Sequence, residues 1–246
     1  MTSSREERSA TWDSVRRELI NYATRMVLRK DVAEELVQQA GLRLIEAESP
    51  PQAGEGTRAW LFRVVTNLAI DHLRRYSTKN ERIMAETKDA ATANEAFMAE
   101  MGQMRGTEEH RAMARDHLSV CFSCTMRVFP ANQAAALLLV EVFGFSVAEA
   151  ADILGARAAQ AKNWIQSARA GMQQRYAQTC ALVSKNGVCH ECVELSGYFT
   201  GVAENPLANT AGDIDSRLAI LHKRRESALN PWHTKLMLIV DGLLSK

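Results

Sequence analysis

This sequence predicts an all-α protein: two small helical domains joined by a linker, with a helical extension at the C-terminal end. Three observations predict it. Glycine and proline are scarce, with 13 and 5 residues in 246, and few breakers favour uninterrupted helices. Apolar residues recur every three or four positions over long stretches, the spacing that lines one helix face. Helix start and stop signals stand where that spacing begins and ends, as at Ser146, Gly155 and Asn230-Pro231.

The first segment covers residues 11–82. Trp12, Val15, Leu19, Ile20, Ala23, Met26 and Val27 carry one helical stripe, and Val32, Leu36, Val37, Ala40 and Leu44 carry the next. The stretch from Ser49 to Gly54, with Pro50 and Pro51, interrupts the pattern and predicts a loop. A further helix is expected over Thr57–Tyr76. There Leu61, Val64, Val65, Leu68 and Leu73 form the buried stripe, and Arg58, Arg63, Arg74, Arg75 and Lys79 form a basic rim beside Asn67. Such a rim suits phosphates, while polar and aromatic groups engage unstacked bases. A solvated basic helix face is the plainer alternative.

Residues 83–108 change character. Acidic side chains outnumber basic ones and alanine and methionine dominate, which predicts a linker, with an interaction role for its acidic face as the alternative.

Residues 109–177 return to helical spacing. Pro130 starts a helix, and Ala134 to Phe143 is rich in apolar residues. Ser146 and Glu149 have capping-box spacing. Their helix, Val147 to Leu154, ends at Gly155, where a left-handed residue closes it without a Cβ penalty. A second helix opens near Ala158 and continues to about Arg175. Ala161 and Trp164 are assigned to its inner face. Gln160, Lys162, Asn163, Gln166, Ser167 and Arg169 are assigned to its outer face. Helix, glycine turn, helix is the layout of a helix-turn-helix, and amides with basic groups suit base edges and phosphates. A helical hairpin with a solvated polar face is the alternative.

The run from Phe129 to Leu139, followed by Phe143 to Gly155, resembles region four of the extracytoplasmic-function (ECF) sigma factors. Arg58 to Arg75, with Trp60, Asn67, Asp71, Arg74 and Arg75 at the expected offsets, is similar to region two of the same family. Asp31 to Gln39 resembles its polymerase-docking helix. The resemblance implies a sigma factor that binds core RNA polymerase through Asp31, Glu34, Glu35, Leu36 and Gln38. It implies contact with promoter DNA through Arg58, Trp60, Arg63, Asn67, Asp71, Arg74 and Arg75 at the minus-ten element. Gln160, Lys162, Asn163, Gln166, Ser167 and Arg169 would meet the minus-thirty-five element. An anti-sigma protein is a further partner that the resemblance admits. Departures exist. Phe129-Pro130 replaces Leu-Pro, Gln39-Ala40-Gly41 replaces Glu-Thr-Phe, and the second helix has fewer basic residues, implying weaker phosphate anchoring. A stand-alone helix-turn-helix transcriptional regulator with a metal- or redox-sensing cysteine cluster is the rival reading, but it needs no polymerase-docking helix.

Composition excludes other classes. Net charge is +1, so any nucleic-acid surface rests on local segregation of basic residues. No Walker loop, HExxH or nucleophile elbow occurs, so no enzyme is expected. The longest apolar run, Ala134 to Val140, is too short to cross a membrane. Met1 to Thr11 lacks a signal-peptide core, so a cytoplasmic location is expected.

Residues 178–246 form a cysteine-containing extension. Asp213 to Leu229 predicts a charged helix, and Asn230-Pro231 starts another carrying Trp232, Leu236, Ile239, Val240 and Leu243. Cys121, Cys124, Cys189 and Cys192 form two CxxC pairs, with Cys180 and His190 as further ligand types. Two such pairs can hold one tetrahedral zinc. A reversible disulfide and plain burial are the alternatives. The zinc reading predicts one zinc per chain after reducing purification, lost in a Cys189→Ser, Cys192→Ser double variant. No metal in the wild type, with a disulfide on mild oxidation, would instead support the redox reading.

Overall fold

A computed structural model describes residues 5–47, 55–76, 93–96, 99, 121–123, 125–126, 129–179, 214–223 and 225. Among these, all regular structure is helical: α1 (Arg5–Val27), α2 (Lys30–Glu46), α3 (Glu55–Tyr76), α4 (Ala131–Leu137), α5 (Val147–Ile153), α6 (Ala158–Thr179) and α7 (Ile214–Lys223). The chain forms two compact units that cut across the sequence segments. The first holds Met1–Ser77, Phe129–Ala168 and His222–Ala228, and the second holds Thr78–Val128, Arg169–Leu221 and Leu229–Lys246.

In the first unit α1 packs on α2 and α3, and α3 also meets α4 and α5. The α1 stripe is buried through Val15, Leu19, Tyr22, Ala23, Met26 and Val27. The chain reverses at Leu28, whose φ of 59° lies in the left-handed region. Glycine is the usual residue there, but the leucine side chain is buried, and that burial offsets the backbone strain. Helix α3 begins at Glu55, two residues before the expected start. Its core face is Leu61, Phe62, Val64, Val65, Ala69 and Ile70. Leu68 and Leu73, expected in that stripe, are only half-buried. The helix turns Phe62 inward in their stead, because Phe62 meets an aromatic cluster. Tyr22 lies 5.1 Å from Phe62 and 5.3 Å from Phe143, and Phe145 lies 4.8 Å from Phe62. Tilted and edge-to-face rings at these distances add to simple burial.

Beyond α4 the backbone widens. Phe143 N–H donates to Leu138 O at 3.0 Å, a five-residue span. The segment ends at Val142, and the last carbonyls of a helix have no partner within it. His222 Nδ1 lies 3.1 Å from the Val142 carbonyl oxygen, which accepts from it. The expected capping box on α5 is present: Glu149 N–H donates to Ser146 Oγ at 3.2 Å, and Ser146 N–H donates to Glu149 Oε2 at 2.8 Å. The helix closes at Gly155, with φ of 62°.

The Glu149 carboxyl is held below the ordinary glutamate range by its hydrogen bonds with the Ser146 side chain and backbone. A lowered carboxyl contributes stability above its unfolded pKa and loses it as pH falls through the folded one. Ser146→Ala is therefore expected to cost about 1 kcal/mol at neutral pH, with a smaller cost below the glutamate range, read by denaturant titration.

A buried polar chain ties α1 to α3. The Thr66 hydroxyl donates to Phe62 O at 2.6 Å, so its Oγ1 accepts from the Tyr22 hydroxyl at 2.8 Å. Burial pushes the Tyr22 phenol well above its ordinary pKa. Thr66→Val strands a buried phenol, whereas Tyr22→Phe removes the donor and leaves a threonine that still bonds to its own helix. The asymmetry between stranded and removed groups predicts a larger stability loss for Thr66→Val, by about 1 kcal/mol. Equal losses in thermal or denaturant unfolding would contradict this bonding order.

The second unit contains the C-terminal half of α6 and most of α7. Tyr176 is buried, and the Arg217 guanidinium lies over its ring at 3.9 Å. The expected helix from Asp213 to Leu229 is described over Ile214–Lys223. The helix expected after Asn230 and nearly all of the 83–108 linker lie outside the described residues.

Candidate functional site

Helix α2 divides its residues sharply. Ala33, Leu36, Val37, Ala40 and Leu44 are buried. Asp31, Glu34, Glu35 and Gln38 are exposed along the opposite face. Leu36, expected to touch polymerase, is only 6% exposed. It falls on the buried stripe of its own helix, with Ala33, Val37, Ala40 and Leu44, and so is not part of the exposed face. The exposed apolar groups are Leu42 at 52% and Ile45 at 56%. Glu34, Gln38, Leu42 and Ile45 fall at three- and four-residue steps on one face, and sequence reasoning missed the last two. Their signal was present: two apolar residues out of step with the buried stripe.

Those two residues border a groove of about 390 Å³, lined also by Arg8, Trp12, Gln38 and Gly41. A Cβ at Gly41 would come within 2.8 Å of the Trp12 ring. The glycine that departs from the family pattern therefore admits an indole from α1. The acidic face carries compensating neighbours. Arg29 pairs with Asp31, Lys30 Nζ lies 3.7 Å from Glu34, and Gln39 donates to Glu35 at 3.2 Å. The Arg29 hydrogen bond holds the Asp31 carboxyl below the ordinary aspartate range.

One arginine expected on the basic rim of α3 faces inward. Arg58 is turned into the protein. Its Nε donates to Glu18 Oε2 at 3.0 Å and its Nη2 to Glu18 Oε1 at 2.6 Å. Nη2 also donates to the Phe143 carbonyl at 3.2 Å, and the guanidinium lies 4.1 Å from the Phe145 ring centroid. Arg63 is exposed and donates to the Asp152 carbonyl. Trp60 is half-buried, while Asn67, Asp71 and Arg74 are exposed, with Arg74 3.5 Å from Asp71. The Arg75 side chain and Lys79 lie outside the description.

On α6, Ala161, Ile165, Ala168, Met172 and Tyr176 form the buried stripe. Trp164, expected there, is half-buried, because Ile165 occupies the inward position. Gln160, Lys162, Asn163, Gln166 and Ser167 are all exposed, and Arg169 is half-buried. Arg157, exposed just before α6, was missed and adds a cation at the end where the first helical N–H groups point outward. Of the cysteines, Cys121 is described and half-buried. Cys124, Cys180, Cys189 and Cys192 lie outside the described residues, and among those described no metal-ligand cluster occurs. No described helix is long and apolar enough to cross a membrane.

Comparison with known proteins follows the same two stretches. Residues 11–78 match the family Sigma-70 region 2. Residues 129–175 match the family of the sigma-like domain of the response regulator PhyR. The protein named "Probable ECF RNA polymerase sigma factor SigI", from two strains of Mycobacterium tuberculosis, is 26% identical over 216 residues, covering 87% of this chain and 71% of the relative. A "Probable RNA polymerase sigma factor" of Haemophilus influenzae is 24% identical over 144 residues, covering 55% of this chain and 72% of that one.

Proposed function

Because the chain belongs to the ECF sigma factors of the sigma-70 family, we propose that it docks on core RNA polymerase through the exposed face of α2 and reads promoter DNA through α3 and α6. The observation that carries the docking assignment is the continuous exposed face from Asp31 to Ile45, acidic at its start and apolar at its end. Acidic groups suit steering and orientation, whereas an apolar pair beside a groove suits the desolvated centre of an interface. On this reading Leu42 and Ile45 replace Leu36 as the apolar contacts. The α6 face supports base contact through Gln160, Asn163 and Gln166 and phosphate contact through Arg157 and Lys162. On α3, Arg63, Asn67 and Arg74 are the exposed groups that support DNA contact, while Arg58 holds the helix in place.

The charge-reversed Glu34→Lys, Glu35→Lys variant and the Leu42→Ala, Ile45→Ala variant are each expected to bind core polymerase at least tenfold more weakly, about 1.4 kcal/mol. All four side chains are exposed, so thermal unfolding should stay near wild type. Pull-down at wild-type strength by both variants would remove α2 from the interface.

The reading also sets a distance. The two promoter elements stand about 25 base pairs apart, roughly 85 Å at 3.4 Å per step. In this unit Arg58 of α3 lies 3.2 Å from the Phe143 carbonyl, next to α5. One chain reading both elements must separate these parts. Dyes introduced through non-natural residues at exposed positions 43 and 148 should transfer energy strongly in the free chain and weakly in the polymerase–promoter complex. Strong transfer in both states would contradict simultaneous reading of the two elements.

A further inference from the structure

Helix α7 belongs to the extension, and it touches the helix assigned to DNA. Lys162, Gln166, Arg169 and Gln173 follow one another on α6 at steps of four, three and four, so they line a single polar stripe. The first two are exposed. The last two are engaged by the start of α7. Arg169 forms an ion pair with Asp215, and the Gln173 side-chain oxygen accepts from the Ile214 backbone N–H at 2.9 Å.

The contact is anchored. Ile214, Leu218 and Leu221 give α7 a buried apolar face. Arg217 is 1% exposed and stacks over Tyr176, one turn beyond Gln173 on α6. The Asp215 side chain itself remains 75% exposed, so it adds charge at the site without being needed for packing. A carboxylate and a phosphate present the same partner to a guanidinium: a fork of anionic oxygens accepting N–H bonds.

Resting on the reading of α6 as the DNA-contacting helix, we infer that α7 is an internal competitor for DNA. Asp215 pairs with the Arg169 guanidinium and so competes for it with a backbone phosphate, and the extension thereby lowers the affinity of the full chain for DNA. The competition is electrostatic, so it acts on every sequence alike and fades with added salt.

The test is fluorescence-anisotropy binding of the full chain to 30-base-pair duplexes of random sequence, over a salt series. Asp215→Asn keeps size and shape and removes the charge. It is expected to tighten binding about three- to tenfold at low salt and to steepen the salt slope by about 0.9, the value of one added phosphate contact. Asp215→Glu should restore wild-type binding. In an Arg169→Ala background, Asp215→Asn should change nothing, which separates a specific pairing from a general shift in net charge. If Arg169→Ala, Asp215→Asn binds as wild type does and Arg169→Ala binds no more weakly than Asp215→Asn, Arg169 does not contact DNA and the reading of α6 fails at that residue. If Arg169→Ala binds more weakly than Asp215→Asn, but Asp215→Asn binds no tighter than wild type, α6 keeps its role and the competitor is overturned.

Discussion

The forked ion pair between Arg58 and Glu18 is the contact on which the first unit depends. A guanidinium offers donors on several edges and an apolar face, and here each is used. Two N–H groups meet the Glu18 carboxylate on α1, one also meets the Phe143 carbonyl, and the flat face lies against Phe145. One side chain on α3 thus fixes the α1–α3 crossing and the approach of the segment that leads into α5. The Phe62, Phe143 and Phe145 rings close around the same point. A lysine there would supply charge but neither the fork nor the stacking plane.

That constraint explains how α3 holds inward-facing and solvent-facing residues on adjacent turns. Arg58 and Phe62 face inward, while Arg63, Asn67 and Arg74 face solvent. Helix α2 obeys the same logic. Its buried stripe secures it to α1 and α3, and its outer face is free to vary in character along its length. The Trp12 ring laid over Gly41 shows how one helix compensates for a small residue on another: volume absent from α2 is supplied by α1.

Much of this was legible in the sequence because helix signals are local. Periodicity located the helices, Ser146 with Glu149 marked a start, and Gly155 marked a stop. The resemblance of residues 58–75 to sigma region two agreed with the family comparison, and residues 129–175 match a sigma-like domain. What sequence could not resolve was the direction of side chains near stripe boundaries. Trp164 and Ile165 are adjacent on α6, yet Ile165 is buried and Trp164 half-buried, and only the neighbouring helices decide which turns inward. Arg58 looked like one more rim arginine because its partners lie 40 and 85 residues away. The engagement of Arg169 by Asp215, 46 residues further on, was invisible for the same reason. The cysteine pairs were legible as pairs, but spacing does not say whether two distant pairs meet.

The central claim is that this chain gives core polymerase its choice of promoter. It is tested most directly by transcription in vitro from a library with randomised upstream DNA, using core polymerase with and without the purified chain and mapping every start. The account predicts starts that require the chain and lie at a fixed distance from a recurring two-part element. Starts independent of the chain, or none at all despite core binding, would contradict it.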